Sequence, residues 1–245
     1  MTEQNSQDLA LEAIENIGLN DIVGQQKFIE TIKVSITASR MRGEILPHIL
    51  LVGPRGSGKN TLVKAIANEI GANIRTLSFS ALRTSADLES ILTNISEGDI
   101  VFIENFDSIK QSHADILTPA MDNFSMDIVI GKGVAARSIH LELPRFTVIA
   151  TMDSEKKIPG KLRGCFAIYW RMADYTVDDL RELARRFATE SYVSITDEAS
   201  IEVATQSKGA YRKLTTIMKR ARDFAMIKGN GIIDIDIVKQ ALETF

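Results

Sequence analysis

Short apolar runs alternate with helix-period segments along most of the chain. HILLV (48–52), IRTLSF (74–79), IVFIE (100–104), FTVIAT (146–151) and FAIYW (166–170) are separated by stretches with helical spacing. Runs that are apolar at nearly every position suit strands buried on both faces, and strands alternating with helices build a parallel sheet covered on both sides. A helical pattern precedes the first run, from Ile22 through Phe28, Ile32 and Ile36, and stops by Gly43. After Tyr175 no further strand is expected. Three or four helices follow instead, over 176–190, 197–206, 210–228 and 234–244, punctuated by Gly209 and by Lys228-Gly-Asn-Gly231. The pattern therefore predicts an α/β domain over 19–172, a boundary near Ala173 and a small helical domain over 173–245. Residues 1–18 are polar and acidic, with Leu9, Leu11, Ile14 and Ile17 spaced either for a short amphipathic helix or within a loosely docked leader.

One segment breaks the alternation. MDIVIGKGVAARSIHLEL (126–143) alternates apolar and polar residues on either side of Gly131 and Gly133, which predicts a β-hairpin inserted between a helix and a strand of the main sheet. Its apolar edge, Ile128, Ile130 and Val134, is either an ordinary hairpin surface or a docking surface.

Composition narrows the picture modestly. Hydrophobic residues make up 44% and charged residues 25% of the 245, which is enough for a packed core. A net charge of -3 gives no global attraction to nucleic acid or an anionic membrane. Any DNA contact is therefore expected to be local or indirect, with Lys208, Arg212, Lys213, Lys219, Arg220 and Arg222 as the basic stretch. The single cysteine, Cys165, cannot form an internal disulfide, and no basic-then-apolar leader opens the chain, so a cytoplasmic location is expected. No apolar run reaches the ~20 residues of a membrane span. His48, His113 and His140 share no ligand spacing, so no histidine-held metal is expected.

The chemistry concentrates at GPRGSGKNT (53–61), between an apolar strand and a helix starting near Lys59. Glycines let backbone N–H groups turn onto phosphate oxygens, the helix N-terminus adds its positive dipole, and a lysine reaches the terminal phosphates. Gly53, Pro54, Gly56, Ser57, Gly58, Lys59, Asn60 and Thr61 are thus the candidate contacts to ATP or ADP. Asn60 stands where a hydroxyl normally holds Mg2+, and an amide oxygen serves that tight octahedral position less well. The strand IVFIE ends in a similar departure. P-loop ATPases usually close it with Asp-Glu, one carboxylate for the metal and one to polarise water; here the pair is Glu104-Asn105. Glu104 can still serve the metal. Asn105 cannot accept a proton, and Asp107 would stand in only after a register shift of two residues.

These elements together resemble an AAA+ ATPase, and specifically the RuvB family of Holliday-junction branch-migration motors. The resemblance rests on DIVGQ (21–25), GPRGSGKNTL (53–62), ANEIGANIRT (67–76), LTNISEGDIVFIE (92–104), PAMDNFSMDIVIGKGVAARSIHLELPRFTVIAT (119–151), KLRGCF (161–166) and KGAYRKL with RARDFA (208–225), and spans roughly Leu19 to Leu242. It implies a three-layer α/β/α P-loop domain with an inserted hairpin, followed by a helical lid. It further implies that Arg163 is an arginine finger acting in trans on a neighbouring subunit's nucleotide within a ring of self or AAA+ homologues. Arg212 would sense the γ-phosphate, and Thr151 or Asp153 would lie near the residue that orients the attacking water. The hairpin 126–143 resembles the element that docks the junction-binding partner RuvA.

The departures from the family share one side of the chemistry. By the resemblance, Asn60, Asn105 and the position at 151–153 would touch magnesium and water, whereas Arg163 and Arg212 would touch phosphate and are retained. The family's second finger-loop arginine is Cys165 here, and Glu15-Asn16 replaces an Arg-Pro near the adenine pocket. The family also carries a DNA-contacting winged-helix domain after the lid, and the sequence given, ending at Phe245, includes none. Three functions fit this pattern: a nucleotide-binding, hydrolysis-poor oligomer in recombination or repair, an active branch-migration motor, or an interaction protein with a relic site.

Overall fold

The computed structural model describes residues 17–79, 82, 84–130, 137–154 and 158–243. Most of the leader, Glu15-Asn16 included, and the hairpin tip with Gly131, Gly133 and Val134 lie outside the described residues. The contacts divide the chain into two units. One holds residues 27–54 and 63–171; the other holds the described residues up to Gln26, residues 55–62 and residues 172–243.

The first unit is built on five parallel strands: β1 (Ile49–Val52), β2 (Ile74–Ser78), β3 (Ile100–Glu104), β6 (Thr147–Met152) and β7 (Ile168–Arg171), in the order β2-β3-β6-β1-β7. The three inner strands are almost wholly buried, as their unbroken apolar runs require. The edge strands β2 and β7 carry exposed residues between buried or half-buried ones, as strands covered only in part do. Helices α1 (Gln26–Arg42), α2 (Lys59–Ile70), α3 (Ser85–Thr93) and α4 (Gln111–Asp122) connect the strands, and the five-residue α5 (Gly160–Gly164) precedes β7. One core cluster joins Leu50, Val52, Val101, Ile103, Val148 and Ala150 of the sheet to Leu88, Leu92 and Leu117 of the helices. Full burial of each large aliphatic side chain contributes about 1.5–3 kcal/mol.

The hairpin forms as its alternation predicts. β4 (Ser125–Ile130) pairs antiparallel with β5 (Arg137–Glu142), placing Ile128 opposite Ile139 and Asp127 opposite His140. Ile139 is 49% exposed, and His140 Nδ1 lies 2.9 Å from Asp127 Oδ1.

The second unit contains four helices: α6 (Val177–Glu190), α7 (Asp197–Ser207), α8 (Tyr211–Lys228) and α9 (Ile235–Leu242). Their starts follow side-chain chemistry. Thr176 and Asp179 form a reciprocal capping box, Thr196 accepts from Ala199 N–H, and Asp234 accepts from Ile237 N–H. Leu180, Ala184, Val203, Leu214, Ile217 and Val238 are among the residues of its core. One expectation is corrected here. Two short strands, β8 (Ser194–Ile195) and β9 (Ile232–Ile233), pair in parallel after Tyr175. At two residues each they carry no periodicity, and the pairing joins segments that only the folded helices bring together.

Because the strands of the main sheet are parallel, their carboxyl ends share one edge, the usual place for ligands in open α/β sheets. The register sets Leu51 beside Thr151, Val52 beside Met152 and Ile103 beside Ala150 at that edge.

Candidate nucleotide-binding site

The loop after β1 is anchored at its start. Gly53 N–H donates to the carbonyl of Met152 at 3.0 Å, which fixes where the loop leaves the sheet. Beyond it, Gly56 and Gly58 adopt φ of +84° and +87°, the left-handed region that a side chain disfavours. Space excludes a side chain too. A Cβ on Gly56 would meet Cβ of Arg212 at 2.8 Å, and one on Gly58 would meet Tyr175 Oη at 2.6 Å. Ser57 between them is buried, and its hydroxyl has no hydrogen-bond partner among the described residues. A buried orphan hydroxyl in a glycine loop at a helix N-terminus fits an anionic oxygen. Lys59 opens α2 and is 7% exposed, while Pro54, Arg55 and Asn60 are exposed and Thr61 is half-buried. The residues present therefore fit a bound phosphate chain.

Residues of the DIVGQ segment (21–25) and of the helical segment frame the loop within the same unit. Gln25, at φ +56°, donates to Ala173 O at 2.7 Å and accepts from Ala173 N at 3.1 Å. Arg186 donates to Asp21 O at 2.5 Å. A Cβ on Gly24 would lie 3.3 Å from both the Tyr175 ring and Asp179. Tyr175 also donates through Oη to Ser57 O at 3.3 Å and packs against Tyr211, with ring centroids 6.2 Å apart. Burial, then the neighbouring Tyr211 and Asp179, pushes the Tyr175 phenol up to about 12, so it remains a donor at neutral pH. Arg212 is exposed in the first turn of α8, and its guanidinium forms no hydrogen bond among the described residues. Sequence reasoning missed Tyr175 and Gln25. The only sign was an aromatic residue just before the Thr176 cap, a pattern that also fits plain core packing.

The sheet unit carries the remaining candidates. Glu104, half-buried, ends β3 beside Ser78 of β2. Asn105 follows at φ +51° and ψ +49°, exposed, with its carbonyl accepting from Ser108 N–H at 2.9 Å. Asparagine is among the residues that tolerate this left-handed geometry, so its presence meets a backbone need as well as removing a carboxylate. Asp107 sits half-buried on the 3-10 turn Phe106–Ser108. Thr151 is buried, with its hydroxyl 3.5 Å from Ile103 O, whereas Asp153 is half-buried just past the end of β6. Thr151 thus faces the sheet interior, and Asp153 is the polar side chain beyond the strand.

Arg163 is exposed on α5, and its guanidinium lies 5.2 Å from the Tyr169 ring centroid, a contact worth roughly 0.5–1 kcal/mol at an exposed site. Cys165 directs its sulfur to Lys161 O at 3.5 Å. Burial first, and then Asp122, pushes its thiol up to about 12, which removes it as a thiolate nucleophile. Asn60 and Glu104 each carry a side-chain oxygen, the kind magnesium takes, and of the two Glu104 alone is a carboxylate. His48 serves the fold: Val148 N–H donates to its Nδ1 at 2.9 Å, and burial lowers its pKa. A cavity of about 290 Å³ opens at the opposite edge of the sheet, near Arg40, Asn73 and Asp99. Among its polar groups, Arg40 donates to Glu69 O, and Asp99 accepts from Asn73, Arg75 and Ser96 N–H, while the buried Ser39 hydroxyl has no partner among the described residues.

Comparison with known proteins adds a relationship to this geometry. Residues 15–172 match the family described as the Holliday junction DNA helicase RuvB P-loop domain, and residues 175–245 match the RuvB AAA lid domain. Among solved structures, the Holliday junction branch migration motor RuvB of Thermotoga maritima is 29% identical, with a TM-score of 0.83 over 94% of this chain and 72% of that one. A point mutant of the same protein is 30% identical, with a TM-score of 0.84 over 93% of this chain and 72% of the other.

Proposed function

The chain belongs to the RuvB family of P-loop AAA+ ATPases, and from that premise we propose that it is an ATP-binding, oligomer-forming protein with weak or absent hydrolysis. It acts in the cytoplasm on recombination or repair intermediates, reaching DNA through partners. Gly53, Pro54, Gly56, Ser57, Gly58, Lys59 and Thr61 hold the phosphate chain, with Arg212 at the terminal phosphate. Asn60 and Glu104 would each offer an oxygen to Mg2+, which when bound would neutralise developing phosphate charge. Asn105 and Asp153 take the positions where an active site would activate and orient water. Arg163 reaches the nucleotide of a neighbouring self or AAA+ homologue in a ring. The hairpin 126–143 is the docking surface for a junction-binding partner.

The observation that supports the proposal is the exposed amide of Asn105 directly after β3, the position this reading gives to the base. No carboxylate follows Glu104 directly, and the phosphate loop is meanwhile kept. The active-motor reading draws on one observation, the exposed guanidinium of Arg163, which is free of ion pairs among the described residues. Thermal unfolding and phosphate release measured on the same sample separate the two. ATP with Mg2+ raises the unfolding temperature while phosphate accumulates at no more than a background rate. Steady turnover lost in both Lys59→Ala and Arg163→Ala would establish the motor instead, and no ATP-dependent shift at millimolar concentration would leave the site a relic.

A further inference from the structure

The phosphate loop is normally explained by its own glycines, but here a tyrosine 118 positions away touches it. Tyr175 Oη donates to Ser57 O at 3.3 Å, and the same oxygen would stand 2.6 Å from a Cβ on Gly58. Its ring lies 3.3 Å from where a Cβ on Gly24 would be, so Gly24 and the loop both close on one side chain. Tyr211 packs beside it, and Arg212, the next residue, abuts Gly56. The carbonyl of Ser57 is thereby held outward by a neutral donor. A peptide unit is planar, so fixing the Ser57 carbonyl on one side also fixes the Gly58 N–H on the other.

We infer that Tyr175 is a positioning residue of the phosphate loop, its hydroxyl holding the Ser57 peptide so that the loop amides are preset to receive phosphate. The hydroxyl acts through the loop backbone rather than on the nucleotide, and the ring supplies the packing that keeps it there. The second consequence concerns Gly58, which is required not only by its backbone angle but by the phenol oxygen itself. Ring carbon Cζ lies 3.9 Å from the same Cβ position, an ordinary contact, so removing the oxygen alone opens the space.

This rests on the proposal that the chain binds ATP, and the test separates the two. In the full-length protein, Tyr175→Phe weakens ATP binding by about 5–10-fold, the loss of one hydrogen bond, with the nucleotide-free unfolding temperature unchanged. In the absence of nucleotide, the amides of residues 56–59 exchange hydrogen faster in Tyr175→Phe than in the wild type, while the α8 amides do not. Gly58→Ala costs more in the wild-type background than in Tyr175→Phe, where the clash is relieved. Equal exchange at 56–59 together with an equal effect of Gly58→Ala in both backgrounds would overturn the inference. So would a lowered unfolding temperature for Tyr175→Phe with unaltered loop exchange, since that is what a purely packing role does. Failure of the wild type to bind ATP would refute the proposed function, yet the exchange comparison would still decide the role of Tyr175.

Discussion

The phosphate loop and the tip of β3 are held in place by different means. In the loop, identity is enforced by space: Gly56 and Gly58 have positive φ, and a Cβ on either would strike Arg212 or Tyr175. A change there disturbs packing before it disturbs chemistry. At the tip of β3, Asn105 is exposed, and the backbone asks only for a residue that tolerates the left-handed region. A carboxylate can be exchanged for an amide at that point with no cavity, clash or buried orphan. The two regions thus differ in how tightly the fold constrains residue identity.

The sharpest way to break the comparison is to restore the chemistry at the unconstrained positions. Asn60→Thr together with Asn105→Glu should raise ATP turnover by about two to four decades, the usual contribution of a general base. The same double change should cost about 1 kcal/mol in stability, because glutamate is less at ease than asparagine in the left-handed region. Turnover is read by phosphate release and stability by urea unfolding. An unchanged rate would place the water-activating position elsewhere.

Removing the lysine probes the constrained side. Lys59→Ala should weaken ATP binding by roughly 10–100-fold, matching the ~1.5–3 kcal/mol of a charge-assisted hydrogen bond, as measured by calorimetry. The fold should survive it, since α2 keeps its buried face of Leu62, Val63 and Ile66.

Gly56→Ala should lower both binding and stability, the latter by about 1–3 kcal/mol, from strain at positive φ and contact with Arg212. By contrast, Asn105→Gly should leave stability unchanged, while Asn105→Ala should lose roughly 1 kcal/mol in the same urea titration. If Asn105→Ala proved as damaging as Gly56→Ala, the two regions would not differ in the way described.

How far the sequence disclosed this molecule depends on the range of the interaction. The inner strands were legible because burial on both faces leaves an unbroken apolar run: IVFIE is β3 residue for residue. The hairpin was legible because apolar and polar residues alternate on either side of a glycine pair, although β5 is exposed on both faces. The two-residue pairing of β8 with β9 was not, as it depends on helices that first bring residues 194 and 232 together. In the candidate site, local features were readable: the glycine loop, the lysine at the start of α2, and the carboxylate-then-amide after β3. Contacts across long separations were not. Nothing in the sequence shows that Tyr175 reaches Ser57, that Gln25 reaches Ala173, or that Arg212 leaves no room beside Gly56. That the Thr151 hydroxyl turns toward Ile103 O was likewise not readable from the sequence.

The central claim is that the phosphate chain is held but not efficiently cleaved. It is tested most directly by incubating the purified protein with ATP and Mg2+, removing free nucleotide, and identifying what remains bound by chromatography. The account predicts intact ATP, retained by the wild type and lost in Lys59→Ala. Recovery of ADP, formed over many turnovers by the wild type and not by Lys59→Ala, would contradict it.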